Sequence, residues 1–146
     1  IFLAGSIEQG TAEKWQGRMV EALKDEECTL LNPLRDEWDA TWDQSTDNPQ
    51  FVEQVTWELT QLEGADIIAM YFDPNTKSPI PLLELGLHAT VCGENYSKLR
   101  VVCPEGFWRR GNVQIVCQYY KIPLLGSFDE LVKELKAYIK VYLGQR

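Results

Sequence analysis

The run DIIAMYF, Asp66–Phe72, is one acid followed by six hydrophobic residues. An unbroken apolar run of this length, without polar alternation, marks a strand covered on both faces. It reads as the third strand of a parallel sheet, and the rest of the chain falls into place around it. Upstream, Asn48-Pro49 offers a cap residue followed by proline at the first helical position. The helix starting there carries Phe51, Val55, Leu59 and Leu62 inward and stops at Gly64. Downstream, SPIPLLELGLHATVC, Ser78–Cys92, is a helix entered through prolines.

Further out the alternation continues. IFLAG is a short buried first strand ending at Gly5, and Thr11 to Lys24 is a helix with Trp15, Met19 and Leu23 at four-residue spacing. CTLLNP is a second strand stopped by Pro33, followed by a long acidic loop, Leu34 to Asn48. LRVVCP is a fourth strand, Asn112 to Tyr120 a helix, and IPLL a fifth strand. Ser127 and Glu130 form a capping box for a last helix, Phe128 to about Leu143. Strands alternating with helices predict an α/β fold, a parallel sheet with helices on both faces. In such sheets ligands sit at the carboxyl ends of the strands, where the strand order reverses.

The bulk properties narrow the field. With 146 residues, 45% hydrophobic and 25% charged, the chain suits one globular domain spanning its whole length. A formal net charge of −8 argues against a nucleic-acid polymer as partner, though not against a nucleoside or nucleotide. No apolar run is long enough to span a bilayer, and no signal peptide is visible in a chain that opens directly on the strand-like IFLAGSI. Cys28, Cys92, Cys103 and Cys117 show no CxxC or other zinc spacing, and the chain has one histidine. Reduced cysteines in a cytoplasmic protein are expected, with no metal and no cofactor.

Several residues have the chemistry for a site. Glu84 lies among leucines, about one turn into a helix that starts near the ligand edge of the sheet. An ionised carboxylate on so apolar a segment, which reads as a buried helix, is costly to bury without a partner. It reads either as a nucleophile or base, or as an acid favoured by the helix dipole and pointing to solvent. Glu58 shares a helix face with Val55 and Leu62, and reads as a second acid or as a helix-edge residue reaching water. Gly5 and Ser6, between strand and helix, either admit a ligand to the backbone or make a tight turn. In the acidic loop, Trp38 and Trp42 could stack on a planar base or fold back on the core. Arg109, Arg110, Gly111 and Asn112 form a basic turn, an anion site or an intersubunit contact. His88 reads as a helix-packing residue.

FLAGSI, NPLRDEWD, WELTQLEGADIIAMYF, SPIPLLELGL and GFWRRGNVQIVC, taken in order and spacing, resemble the nucleoside 2-deoxyribosyltransferase-like family from Phe2 to about Leu135. The resemblance implies a flavodoxin-like, doubly wound, five-stranded parallel sheet and a homodimer or larger homo-oligomer. It implies Glu84 as the catalytic carboxylate, in the family's E-L-G motif, and Glu58 as the second acid, eight residues before Asp66. Gly5, Ser6, Trp38, Asp66, Ser78 and Asn112 are then expected to bind substrate, with Asn112 reaching a neighbouring subunit's site. Ser78 stands where transferases of the family often have an Asp that contacts the base, and where related deoxynucleoside-monophosphate N-glycosidases have a phosphate-binding Ser. Ser78 therefore leans toward a nucleotide hydrolase and Asn112 toward a free-nucleoside transferase. The implied activity is cleavage of the N-glycosidic bond of a 2′-deoxynucleoside through a glycosyl–Glu84 intermediate. Another base or water is the acceptor. A nucleotide-binding sensor without catalysis, and a scaffold subunit with a vestigial site, are the readings from other classes.

Overall fold

The computed structural model describes residues 1–8, 12–34, 41–90, 92–93 and 96–144. Its elements in chain order are β1 (Phe2–Gly5), α1 (Trp15–Leu23), α2 (Pro49–Gly64), β2 (Ile68–Tyr71), α3 (Pro79–Ala89), β3 (Cys92–Gly93), β4 (Tyr96–Ser97), β5 (Leu99–Val102), α4 (Arg110–Tyr119), β6 (Leu124–Leu125) and α5 (Phe128–Gly144). β2, the heart of the Asp66–Phe72 run, lies between β1 and β5 in a four-stranded parallel sheet of order β1-β2-β5-β6. All four β2 residues are buried, as a strand covered on both faces requires.

The sheet has four strands where five were expected. The CTLLNP segment contributes only one parallel bridge, Leu31 to Phe2. Three hydrogen bonds tie it to the first strand: Leu3 N–H donates to the Leu31 carbonyl at 2.9 Å, Leu31 N–H to the Ile1 carbonyl at 2.8 Å, and the Ile1 amino group to the Thr29 carbonyl at 2.8 Å. The pairing stops there because Asn32 accepts from Leu34 N–H through its side chain at 3.0 Å, turning the chain, and Pro33 has no N–H to donate. Counting the bridge, the order is Leu31, β1, β2, β5, β6, which is consistent with a flavodoxin-like fold. The order reverses between β1 and β2.

Strand alternation divides the core in two. Phe2, Ala4, Ile68, Met70 and Phe72 face Leu62, Leu85, Ala89, Val113 and Cys117 of α2, α3 and α4. Leu3, Ile67, Ala69, Tyr71 and Val102 face Trp15, Met19 and Leu23 of α1 and Leu131, Leu135 and Ile139 of α5. Arg100 also points to the second face and is buried. It is satisfied by the Ser97 and Leu99 carbonyls at 2.6 and 3.0 Å and by Glu134 at 3.0 Å.

The helix ends follow local chemistry. Asn48 Oδ1 accepts from the N–H groups of Gln50 and Phe51 at the start of α2. At α5, Ser127 Oγ accepts from Glu130 N–H at 3.1 Å, and Glu130 accepts from Gly126 N–H at 2.7 Å. That return bond lands one residue before the cap, a displaced form of the expected capping box.

Three expectations need correcting. On α2, Leu59 is exposed; Gln54 and Leu62 are buried, and Trp57 packs on the core against Phe2 with ring centroids 6.3 Å apart. α3 ends at Ala89, and Cys92–Gly93 pairs antiparallel with Tyr96–Ser97 in place of a further helical turn. β-Branched Thr90 at the end of α3 favours that exit. Nor is α3 buried all round: Pro81, Glu84, Leu85, His88 and Ala89 face inward, but Ile80, Leu83 and Leu87 are 53%, 58% and 48% exposed.

Candidate active site

The point of strand reversal, at the carboxyl ends of β1 and β2, is built from small and hydroxyl-bearing residues. Gly5 has φ +144°, and an added Cβ would lie 2.8 Å from Tyr71 N, 2.9 Å from the Trp15 ring and closer still to the Tyr71 carbonyl oxygen. Only glycine fits that backbone and that gap. Ser6 follows and is completely buried. Its N–H donates to the Tyr71 carbonyl at 2.9 Å, and its own carbonyl accepts from Trp15 Nε1 and Gln16 Nε2 at 3.1 and 3.2 Å.

Ser6 Oγ joins Thr76 Oγ1 at 3.0 Å and Ser78 Oγ at 2.5 Å, with Thr76 Oγ1 and Ser78 Oγ 2.6 Å apart. Ser6 Oγ also accepts from Asp73 N–H at 2.8 Å. This closed triangle of buried hydroxyls fastens the end of β1 to the entry of α3. Ser78 sits just ahead of α3 in the left-handed region, φ 47°. Its N–H and that of Lys77 both donate to Glu8 Oε1, at 2.7 and 2.8 Å. Thus Gly5, Ser6 and Ser78 come together, and Thr76, Asp73 and Glu8 join them. The sequence reading missed those three, because its only signal for them was position in loops that the fold closes.

Glu84 lies on the inward face of α3, only 7% exposed. Burial, and then the charge of Glu58 on α2, push its carboxyl up to about 8. Glu58 is half-buried and accepts from Gln54 Nε2 at 2.6 Å, one helical turn back. Gln54 is buried, and its Oε1 has no hydrogen-bond partner among the described residues. With its amide N–H committed to Glu58, that oxygen cannot exchange places with the nitrogen. Gln54 is a further residue missed from sequence, where a glutamine on a helix gave no sign of holding a carboxylate. His88, one turn beyond Glu84, is also buried; desolvation first and Lys98 second lower its pKa, which favours the neutral form.

Other candidates lie elsewhere. Asn112 is exposed in the first turn of α4, which packs against α3. The basic turn ahead of it is anchored by Trp108: its Nε1 donates to the Lys77 carbonyl at 2.9 Å, while Lys77 and Arg109 lie over its ring at 4.6 and 4.3 Å. Arg110 donates to the Cys103 carbonyl. Asp66 is exposed at the amino end of β2, the edge opposite Ser6 and Ser78, so the fold does not bring it to them. Trp38 lies outside the described residues. Among the described residues, no group of three or more His, Cys, Asp or Glu side chains could hold a metal, and no helix is long and apolar enough to cross a membrane.

A buried carboxyl with a second carboxyl near it suits reactions that develop positive charge on a bound ligand. The family model described as nucleoside 2-deoxyribosyltransferase like matches residues 1–107, so the chain belongs to that family. No curated protein matches it.

Proposed function

We propose that this member of the nucleoside 2-deoxyribosyltransferase-like family cleaves the N-glycosidic bond of a 2′-deoxynucleoside and passes the sugar to another base. The observation that carries the reading is Glu84: a carboxyl buried on α3, next to the charge of Glu58, with its pKa raised to about 8. A buried carboxyl beside a second one is a costly arrangement, and such groups concentrate at sites of chemistry.

In the proposed reaction, a Glu84 oxygen forms a bond to C1′ as the C1′–N bond breaks. The bonding pair leaves with the base, which takes a proton from Glu58. Two negative charges close together in a buried site are disfavoured, so the pair keeps one proton, held on Glu84 at rest and passed to Glu58 as Glu84 attacks. Positive charge developing on the sugar offsets that cost at Glu84 and leaves Glu58 able to donate. A nitrogen of the incoming base then attacks C1′, the ester bond to Glu84 breaks, and Glu58 takes back a proton. Gln54 positions Glu58. Gly5, Ser6 and Ser78 shape the rim. Asp66 has no part in the proposed site.

We also propose that the protein assembles with copies of itself. Support comes from the open apolar face of α3, Ile80, Leu83 and Leu87, beside exposed Ile115 and Tyr119 of α4. Asn112 on α4 would then reach the sugar in a neighbouring site. The runner-up chemistry is hydrolysis of a deoxynucleoside 5′-monophosphate, with water as acceptor, and Ser78 is the residue that favours it.

One experiment separates these readings. The protein is incubated with deoxyinosine plus adenine, and separately with each deoxynucleoside monophosphate, and the bases are resolved by chromatography. Base exchange with the nucleosides is the expected result. Free base from a monophosphate without exchange would establish the hydrolase instead. Tight binding without base release would establish a sensor.

A further inference from the structure

Resting on the glycosidic-bond reading, we propose that Glu8 sets the substrate class: it selects a deoxynucleoside with a free 5′ hydroxyl over the same nucleoside as its 5′-monophosphate. The backbone ahead of α3 points two N–H groups, of Lys77 and Ser78, at a single acceptor. Such a pair at a helix start favours an anion. Here the anion is the chain's own Glu8 carboxylate, from the loop after β1.

Among the described residues, the groups around this N–H pair are already committed. The hydroxyls of Ser6, Thr76 and Ser78 are buried and bonded to one another. Asp73 adds another carboxylate, which accepts from Glu13 N–H and Asn75 N–H. Among the described cations, Lys77 and Arg109 lie over Trp108, and Arg18 pairs with Glu13. Ser78 lies six residues before Glu84, about 9 Å along the helix axis. A substituent on a sugar bound at Glu84 therefore reaches the first turn of α3. A neutral hydroxyl can approach Glu8 as a hydrogen-bond donor. A phosphate meets like charge and must displace the carboxylate from both N–H groups. Ser78, the residue that pointed toward a nucleotide, is thereby turned away from one.

The test compares wild type, Glu8→Gln and Glu8→Ala with deoxyinosine and with its 5′-monophosphate, adenine being the acceptor. Wild type should favour the nucleoside by about 100-fold or more in kcat/KM, and both variants should narrow that ratio at least about tenfold, mainly through KM for the monophosphate. Equal use of the two substrates by wild type, or an unchanged ratio in both variants, would overturn the assignment. A second arm needs no turnover. Inorganic phosphate should raise the Tm of Glu8→Ala and leave wild type unmoved, and equal protection of the two would refute the role of Glu8. If wild type processes neither substrate, the glycosidic reading fails by itself, while the phosphate arm still decides what occupies the N–H pair.

Discussion

The hydroxyls of Ser6 and Ser78, 72 residues apart in sequence, meet at 2.5 Å and tie the end of β1 to the start of α3. That bond brings the rim of the strand-reversal point to the helix that carries Glu84. Ser6 Oγ is also the acceptor for the N–H of buried Asp73. Ser6→Ala should leave that N–H unsatisfied and cost about 1–3 kcal/mol. Chemical denaturation should show a lower midpoint at unchanged slope. A stability equal to wild type would mean that the triangle contributes nothing.

Glu84 couples stability to pH. Its folded pKa, about 8, lies above the ordinary 4.5 of an unfolded chain. The folded state therefore holds the proton more tightly. The stability this gives is complete below about pH 4.5 and is lost as pH rises toward 8. Glu84→Gln should remove that dependence and outstabilise wild type at pH 9 by a few kcal/mol, on the order of one for each pKa unit. Tm measured from pH 5 to 9 checks this, and parallel curves for the two proteins would refute it. Turnover of Glu84→Gln should fall by about three orders of magnitude or more while the fold survives.

Gln54 acts through Glu58. Gln54→Leu keeps the volume and removes the N–H that holds the second carboxylate. The expected result is a fall in kcat of roughly 10- to 100-fold with KM little changed, and a shifted acidic limb in the pH–rate profile. Gln54→Glu, which adds charge beside Glu58, should be worse. Unchanged kcat and pH profile in the leucine variant would leave Gln54 a packing residue only.

Asn112 gives a test of shared sites. Asn112→Ala and Glu84→Ala should each be inactive. If Asn112 reaches a neighbour's cleft, mixing the two after subunit exchange should restore up to about a quarter to a half of wild-type activity, because some sites then draw both intact residues. No recovery from a mixture shown to contain hybrid oligomers would place Asn112 and Glu84 in the same subunit's site, or Asn112 in none.

Much of the fold was legible in order along the chain. The unbroken Asp66–Phe72 run announced a central strand, Asn48-Pro49 a helix start, and Ser127 with Glu130 a capped last helix, because each is decided by neighbours within a turn or two. The errors came where distant groups decide. CTLLNP has the composition of a strand, but Asn32 and Pro33 turn it away after a single bridge. Leu59 fits the apolar row of α2, yet packing turned Gln54 and Trp57 to the core instead. In the site, Glu84 stood out as a charge among leucines. Glu8, Thr76 and Gln54 did not, since nothing about them is unusual until the chain closes.

The alternation of apolar runs and amphipathic helices, and with it a parallel sheet bearing Glu84 on the helix after β2, can be read from residue order alone. That follows from backbone periodicity and local capping, which need no tertiary contact. It took the folded chain to bring Ser6 to Ser78, to raise the pKa of Glu84 by burial and then by the charge of Glu58, and to seat Glu8 on the N–H pair ahead of α3. Those relations depend on which polar groups are brought together away from water, and desolvation acts only once the chain has folded around them.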